Sequence, residues 1–469
     1  MKQNWQPLAH FQQHAGEDWL IVEHSHEFSD LCEQYLCELK QVSCPGKSPK
    51  LLLAESDPVR FLAIFIAACA TGCQIFLCNP HWVKQEWQQV FDLVQPDLIW
   101  GKQANPSPHL PISLSPPLPL SPSPHARIMI PTGGSSGTIR FAIHTWETLM
   151  ASVQGFHQYF GAKPINSFCV LPLYHVSGLM QFLRSFTTGG RMVILPFKAM
   201  VEGAGRNLNP TEFFISLVPT QLARLLREDA SAWLSRFQTV LLGGAPAWES
   251  LLEEARRHQI PLALTYGMTE TASQVVTLKP EAFLGGNNSC GQVLPHAQVT
   301  IHNLSGEILA ANHTGLVNIT ADSLALGYYH QINNPNLQSK IKNLSSDDLG
   351  FFDQQGYLHI IGRRTHKIIT GGENVFPTEV EAAIIATRLV SDVCVIGLED
   401  QYWGQAVTAV YVPISVEVST ALLQEAIENK LSKFKRPKYW LAVKNLPRNA
   451  QGKVNRKQIQ KAALDSLFL

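Results

Sequence analysis

Residues 128–141 read Ile-Met-Ile-Pro-Thr-Gly-Gly-Ser-Ser-Gly-Thr-Ile-Arg-Phe, an apolar strand that empties into glycines and hydroxyls and closes on a cation. Such a loop suits a phosphate chain. Gly133, Gly134 and Gly137 let backbone N–H groups approach an anion, Thr132, Ser135, Ser136 and Thr138 add hydroxyl donors, and Arg140 adds charge. The spacing differs from G-x-x-x-x-G-K-[ST], which opens a helix, and a Gly/Ser run alone serves equally well as a linker or turn. Three other places carry chemically capable side chains. Thr265-Tyr-Gly-Met-Thr-Glu-Thr271 reads as a strand end capped by a turn, with Tyr266, Thr269 and Glu270 at its tip. His175 and Arg184 lie in an otherwise apolar stretch. A histidine there is most often a hydrogen-bonded core residue, and the arginine either caps a helix end near Thr187-Thr-Gly-Gly190 or meets an anion. Lys453, in a polar glycine-containing tail, reads on its own as solvated charge.

The surrounding patterns are those of an α/β chain. Leu51-Leu-Leu-Ala54 is a short buried strand, Asp57-Pro58 opens a helix through Ala70, and residues 74–78 form a second strand, which together make a β-α-β unit. Residues 105–125 are rich in proline without periodicity and read as a surface connector. Strands then recur at 168–171, 192–195, 213–218 and 239–242 with helices between them, as in a parallel or mixed sheet flanked by helices. Near residue 360 the character changes. Residues 352–361 read as a turn and strand, and Arg363-Arg-Thr-His-Lys367 is a charged crossing. Thr378 and Glu381 have capping-box spacing for a following helix. Strands at 392–397 and 406–412, a helix at 420–431 and the lysine-bearing tail complete a compact remainder. The expectation is a large N-terminal α/β domain, residues 1–365, and a smaller mobile α+β C-terminal domain, residues 366–469.

Composition narrows the ligand. The chain has 469 residues, 45% of them hydrophobic, with 37 basic and 37 acidic side chains and no basic stripe, which argues against nucleic acid as a partner and for a small molecule. Nine cysteines with no C-x-x-C pair read as free thiols, which together with an N-terminus lacking a basic-then-apolar signal points to the cytoplasm. The uncharged run 61–83 is broken by Gly72, Gln74, Asn79 and Pro80 and is not expected to span a membrane. Self-association into a homo-oligomer stays open.

Four blocks in order resemble the adenylate-forming superfamily, the acyl-CoA synthetases and their relatives. The loop at 132–140 is similar to the family's Ser/Thr/Gly-rich loop, and 265–271 to its Y-G-x-T-E signature. Asp348-Leu-Gly-Phe with Gly362-Arg363 resembles its ribose-binding pair, and Pro447-Arg-Asn-Ala-Gln-Gly-Lys453 its C-terminal lysine motif. The resemblance implies ATP, Mg2+ and the co-substrate CoA. A carboxylate, a poor electrophile at neutral pH, would attack the α-phosphorus of ATP and expel pyrophosphate, and the acyl adenylate would then pass its acyl group to a thiol with loss of AMP.

By the same resemblance Thr132, Gly134, Ser135, Ser136 and Gly137 hold the outer phosphates, with Arg140 where most members carry lysine and Thr138-Ile139 where Lys-Pro is common. Gly243, Gly244 and Ala245 line the adenine edge, and Tyr266 and Gly267 lie against the base. Thr269 bonds the α-phosphate and Glu270 binds magnesium. Asp348, with Asp347 as a rival, and Arg363 hold the ribose, while Lys453 bridges carboxylate and phosphate when the small domain closes. His366 is the pivot of a rotation between half-reactions, where most relatives have aspartate or lysine, and Gly371-Gly372 lines the CoA tunnel.

Leu171-Pro-Leu-Tyr-His-Val-Ser-Gly-Leu179 resembles the family's pocket segment, in which His175 gates the acyl site and Ser177 lines it. With Arg184 downstream, Ser273 and Gln274 after the Y-G-x-T-E block, and Gly371-Gly-Glu-Asn374, the chain looks most like the o-succinylbenzoate-CoA ligases of menaquinone and phylloquinone synthesis. That likeness implies that a pocket cation holds the ring carboxylate while the succinyl carboxylate is activated. Two rivals are another acyl- or aryl-CoA ligase and a carrier-loading adenylation domain, though no carrier module follows Lys453. The rival of a different class is a non-catalytic nucleotide-binding regulatory protein on a ligase scaffold. Retention of Glu270, Asp348, Arg363 and Lys453 speaks against it.

Overall fold

The computed structural model describes residues 7–14, 18–42, 48–101, 126–133, 139–161, 164–329, 343–371, 373–400, 402–448 and 453–467. The connector 105–125 and the loop residues Gly134, Ser135, Ser136, Gly137 and Thr138 lie outside them, as does Gly372.

The first β-α-β unit forms where expected. Lys50–Ala54 and Gln74–Leu77 pair in parallel around helix Pro58–Ala70, ten of whose residues are buried. Pro58 stands at the helix start, where no N–H is needed, and the Asp57 carboxylate accepts the Arg60 N–H at 2.8 Å. This unit belongs to a sheet ordered Leu98–Gly101, Lys50–Ala54, Gln74–Leu77, Arg127–Gly133, Ile139–Thr145. Its last two strands are an antiparallel hairpin in which Thr132 pairs with Arg140 and Gly133 with Ile139. The candidate phosphate loop therefore joins two strands rather than a strand and a helix.

The second sheet is the larger. It runs Leu20–Ile21, Met192–Ile194, Asn166–Cys169, Phe213–Leu217, Thr239–Leu242, Leu262–Met268, Ser273–Thr277, Gln292–Val293. It is parallel up to Leu262–Met268 and antiparallel beyond. Helices Trp146–Phe160 and Val176–Thr188 pack their apolar faces against these sheets, and the uncharged run that resembled a membrane segment is dissolved into a helix, a turn and a strand. Among the described residues no helix is long and apolar enough to cross a membrane. A four-stranded antiparallel sheet, Ala297–His302, Gly315–Ala321, Leu344–Phe352 and Leu358–Arg363, leads to the charged crossing.

Beyond the crossing a separate apolar core forms, with Ile368, Val380, Val395 and Tyr411 among its buried members. Strands Glu373–Val375, Ile368–Thr370, Gly404–Pro413, Val390–Asp400 and Tyr439–Ala442 make its sheet. One local expectation fails here. Helix Pro377–Ile385 begins one residue before Thr378, because Pro377 has a fixed φ and no N–H to satisfy, and Phe376 rather than Thr378 stands at the N-cap. The Thr378 hydroxyl donates instead to the Ile361 carbonyl at 2.8 Å, tying this helix to the strand before the crossing. Glu381 accepts the Val395 N–H at 2.8 Å and pairs with Arg456 at 2.6 Å, which anchors the tail helix Arg456–Leu467 three residues past Lys453.

Candidate active site

The parallel strands of the large sheet deliver their carboxyl ends to one edge, the usual ligand edge of such sheets. Thr239–Leu242 runs directly into Gly243-Gly244-Ala245, and Leu262–Met268 into the 3-10 turn Thr269–Thr271, so the expected base-lining and acidic segments are neighbours. Gly267 is required by packing: a Cβ there would meet the Ser273 carbonyl oxygen at 2.1 Å, so only glycine lets the Tyr266 strand fold back on Ser273–Thr277.

Tyr266 is buried, and its hydroxyl donates to Asp348 Oδ2 at 2.8 Å. Burial, with the Asp348 carboxylate beside it, pushes the phenol well above its ordinary value, so it is a neutral donor. The other Asp348 oxygen accepts from Arg363 Nε at 3.1 Å. Asp347 faces elsewhere and binds Arg364 at 3.3 Å and the Thr365 hydroxyl and N–H. Of the two aspartates, 348 joins Tyr266 and Arg363 and 347 holds the crossing. His366 ends that crossing, and burial with Arg456 and Arg363 nearby lowers it to about 4. Gly371, in the turn after strand Ile368–Thr370, lies against Trp403 and donates to its carbonyl at 2.8 Å.

Arg140 leaves the hairpin of strands Arg127–Gly133 and Ile139–Thr145 and stacks at 4.5 Å over the Tyr328 ring, whose hydroxyl donates to Glu270 Oε1. One tyrosine thereby links the hairpin cation to the expected metal carboxylate. Lys453 arrives from the far end of the chain. It is surrounded by protein yet still open to solvent, as at the mouth of a cleft, and burial and Arg363 lower its pKa while Glu270 and Asp348 raise it. Its tail is held in place because Asn455 donates to the Pro447 carbonyl at 2.8 Å and Arg448 bridges to Val454. The lysine's charge also reaches His175, which burial and, less strongly, that charge lower to about 4. His175 stands at the N-cap of Val176–Thr188, with Nε2 sealed from solvent and unpartnered. Ser177, in the first turn of that helix, gives its carbonyl to Gln181 at 2.9 Å.

Arg184 does not cap its helix. It is 3% exposed, with its guanidinium 4.0 Å above the Phe156 ring and an Nη donating to Gln274 Oε1 at 3.0 Å and to Ser273 Oγ at 3.4 Å. Burial pulls it down to about 9, so it is charged at neutral pH with no carboxylate bonded to it among the described residues. Arg140, Glu270, the Asp348–Arg363 pair and Lys453, from four separate stretches of the chain, thus share one electrostatic neighbourhood, with His175 and then Arg184 leading away from it.

Comparison with known proteins agrees with this arrangement. Residues 46–329 match the AMP-binding enzyme family, and residues 379–453 match the AMP-binding enzyme C-terminal domain. The chain belongs to the AMP-binding enzymes. It is 33% identical over 336 residues to a 2-succinylbenzoate–CoA ligase of Listeria innocua, a match covering 70% of this chain and 68% of that protein. A 2-succinylbenzoate–CoA ligase of Bacillus subtilis is 34% identical over 299 residues, which span 64% of this chain and 61% of the relative. In fold it is similar to the o-succinylbenzoate CoA synthetase of Bacillus subtilis solved with its acyl-adenylate intermediate, with a TM-score of 0.83, 24% identity and 98% of each chain covered. The same Bacillus enzyme solved with ATP and magnesium gives a TM-score of 0.82 at 24% identity, over 98% of this chain and 99% of that one.

In this AMP-binding enzyme the turn at Thr269 is held by residues that no motif marks. Four successive carbonyls are each taken by a different donor: Thr269 by His144 Nε2 at 2.8 Å, Glu270 by the Ala325 N–H at 2.8 Å, Thr271 by the Ser323 hydroxyl at 2.9 Å, and Ala272 by the Ser152 hydroxyl at 2.7 Å. The turn needs such support because Ala272 and Ser273 have φ of 51° and 88°, in the left-handed region that side chains disfavour. His144 is fully buried, and burial lowers it to about 4, so it is a neutral ring whose Nε2–H points at Thr269.

Proposed function

We propose that the chain is an acid-thiol ligase that adenylates o-succinylbenzoate with ATP and transfers the acyl group to CoA. One observation carries the choice of acid. Arg184 is a buried, charged guanidinium with no carboxylate counter-ion among the described residues, on the helix that His175 caps, and an uncompensated buried charge is stable only where an anion completes it. A monocarboxylate would spend its one anionic group on the α-phosphorus. A diacid has a second to meet Arg184.

The chemistry follows from the order of groups. The succinyl carboxylate oxygen attacks the α-phosphorus, the bond to the pyrophosphate oxygen breaks, and pyrophosphate leaves. Two anions must be held together for this, and Lys453 is the cation positioned to lie between them, with Thr269 as a hydroxyl donor to the phosphate. Asp348, oriented by Tyr266 and Arg363, accepts the ribose hydroxyls. Gly243, Gly244 and Ala245 line the adenine, and Thr132 and Arg140 flank the outer phosphates. Glu270 would be the protein carboxylate for a magnesium ion entering with the triphosphate, a hard cation that favours oxygen ligands. That ion, when bound, neutralises charge on the departing pyrophosphate. In the second half-reaction the CoA thiolate attacks the acyl carbonyl and AMP leaves. We assign residues 1–365 to the nucleotide- and acyl-binding domain and 366–469 to a domain that turns about His366 between the steps, presenting Gly371 and Gly372 to CoA. Cytoplasmic placement fits these substrates.

The test is purified protein with ATP, Mg2+, CoA and a panel of carboxylic acids, with thioesters read by mass. o-Succinylbenzoyl-CoA is expected to dominate. In Arg184→Leu the ratio of kcat/KM for o-succinylbenzoate over a monoacid lacking the ring carboxylate should fall about 100-fold, the worth of a bidentate charged contact. An unchanged ratio refutes the choice of acid. Acid-dependent exchange of pyrophosphate into ATP separates an enzyme from a nucleotide-binding protein that does no chemistry.

A further inference from the structure

Among the described residues His296 is a histidine near Arg184 that neither motif nor mechanism has used. Both of its ring nitrogens are sealed from solvent and unpartnered, and so are Arg184 Nε and Gln274 Nε2. A histidine serving only the core would satisfy its nitrogens, as His144 does with Thr269 and Thr148. His296 is instead held by its backbone: its carbonyl accepts the Asp322 N–H at 3.1 Å, and two residues earlier Leu294 donates to Val275 at 2.8 Å. This places it beside strand Ser273–Thr277, which carries the Arg184 partners Ser273 and Gln274.

Helix Trp146–Phe160 closes the other side, and it is cut to fit. A Cβ on Gly155 would lie 1.8 Å from His296 Nδ1, so the imidazole occupies the space any other residue would need. The next residue, Phe156, carries the Arg184 guanidinium on its ring. His296 and Arg184 thus rest on consecutive residues of one helix. Burial and the Arg184 charge lower His296 to about 4, with Asp322 acting weakly against them, so at neutral pH the ring is uncharged and presents one N–H donor. Donors without acceptors around a buried guanidinium describe a carboxylate site with more than one contact.

We propose that His296 donates a ring N–H to the remote carboxylate of the acid beside Arg184, and so sets the preference for acids bearing a second carboxylate. This rests on the o-succinylbenzoate reading above and adds a residue to it. Gly155 is then a positioning residue, since it alone allows the imidazole that location.

The experiment measures acid-dependent ATP–pyrophosphate exchange with o-succinylbenzoate and with 4-oxo-4-phenylbutanoate, which lacks the ring carboxylate. In His296→Leu the kcat/KM ratio of diacid to monoacid should fall about tenfold, the worth of one hydrogen bond to a charged group, with the loss in KM for the diacid. His296→Gln, which keeps an N–H donor, should recover part of the ratio. Gly155→Ala, which displaces the ring without removing it, should behave as His296→Leu does, and it guards against a leucine variant that fails to fold. Parallel losses on both acids, or an unchanged ratio in all three variants, overturn the assignment. A wild-type enzyme with no preference for the diacid sinks the o-succinylbenzoate reading itself. A wild-type preference that Arg184→Leu abolishes and the His296 and Gly155 variants retain sinks this inference alone.

Discussion

At the scale of single residues, the account depends on groups whose neighbours set their state. Glu270 and Thr269 lie on a turn with two residues in left-handed geometry, and the His144 Nε2–H is one of the four donors that hold it. His144→Leu removes the stronger of two donors on the Thr269 carbonyl, which keeps the Ala272 N–H at 3.1 Å, and should destabilise the fold by about 1 kcal/mol. It should also lower kcat for adenylation about tenfold while leaving KM for the acid nearly unchanged, because the turn, and not the acyl pocket, is loosened. Steady-state kinetics beside a urea titration reads both. A variant with wild-type kcat and lowered stability would make His144 a core residue only. None of this was legible in the sequence, because His144, Ser152 and Ser323 reach backbone carbonyls more than fifty residues away and a carbonyl partner leaves no residue-type signature. Glu270, Asp348 and Lys453 stood out only because they fall in blocks that resemble a family's motifs; the structure brings the three into one electrostatic neighbourhood, although Lys453 on its own read as solvated charge.

At the scale of elements, the proposed rotation places the deciding role in the crossing between the two cores. Asp347 gathers Arg364 and Thr365, the Thr378 hydroxyl reaches the Ile361 carbonyl, and His366 lies between these ties. Proline at 366 fixes φ and removes an N–H, so His366→Pro should block rotation while leaving the adenylating arrangement described here in place. Pyrophosphate exchange should then persist and thioester formation from supplied acyl adenylate and CoA should fall at least 100-fold. Equal loss of both steps contradicts the pivot. The elements themselves were read well from periodicity: the first β-α-β unit, the parallel strands and the late α+β core all appear. The helix start at Thr378 was misread because Pro377 fills the first helical position, and a box defined by hydroxyl and carboxylate spacing does not register what proline does to the boundary.

At the scale of the whole molecule, one buried and three partly buried histidines couple the fold to pH. His144, His175, His296 and His366 are each lowered from 6.5 to about 4, with burial the leading cause. The unfolded chain binds protons at these positions near pH 6.5 and the folded one resists until about 4. Stability is therefore full above 6.5 and falls as pH drops toward 4. For His144, which has no solvent exposure, the shift corresponds to about 3 kcal/mol by pH 4. Urea midpoints between pH 7 and 4 should decline, and His144→Gln should show a shallower decline; an identical slope in the variant would remove His144 from the effect. The same scale holds the claim on which the mechanism turns, that a lysine at position 453 joins Glu270, Asp348 and Arg363 over one triphosphate. Acid-dependent ATP–pyrophosphate exchange in wild type and Lys453→Gln tests it most directly. We expect exchange with o-succinylbenzoate in the wild type and a loss of at least 100-fold in the variant, with conversion of supplied acyl adenylate to thioester preserved. Exchange by Lys453→Gln at the wild-type rate would contradict the account.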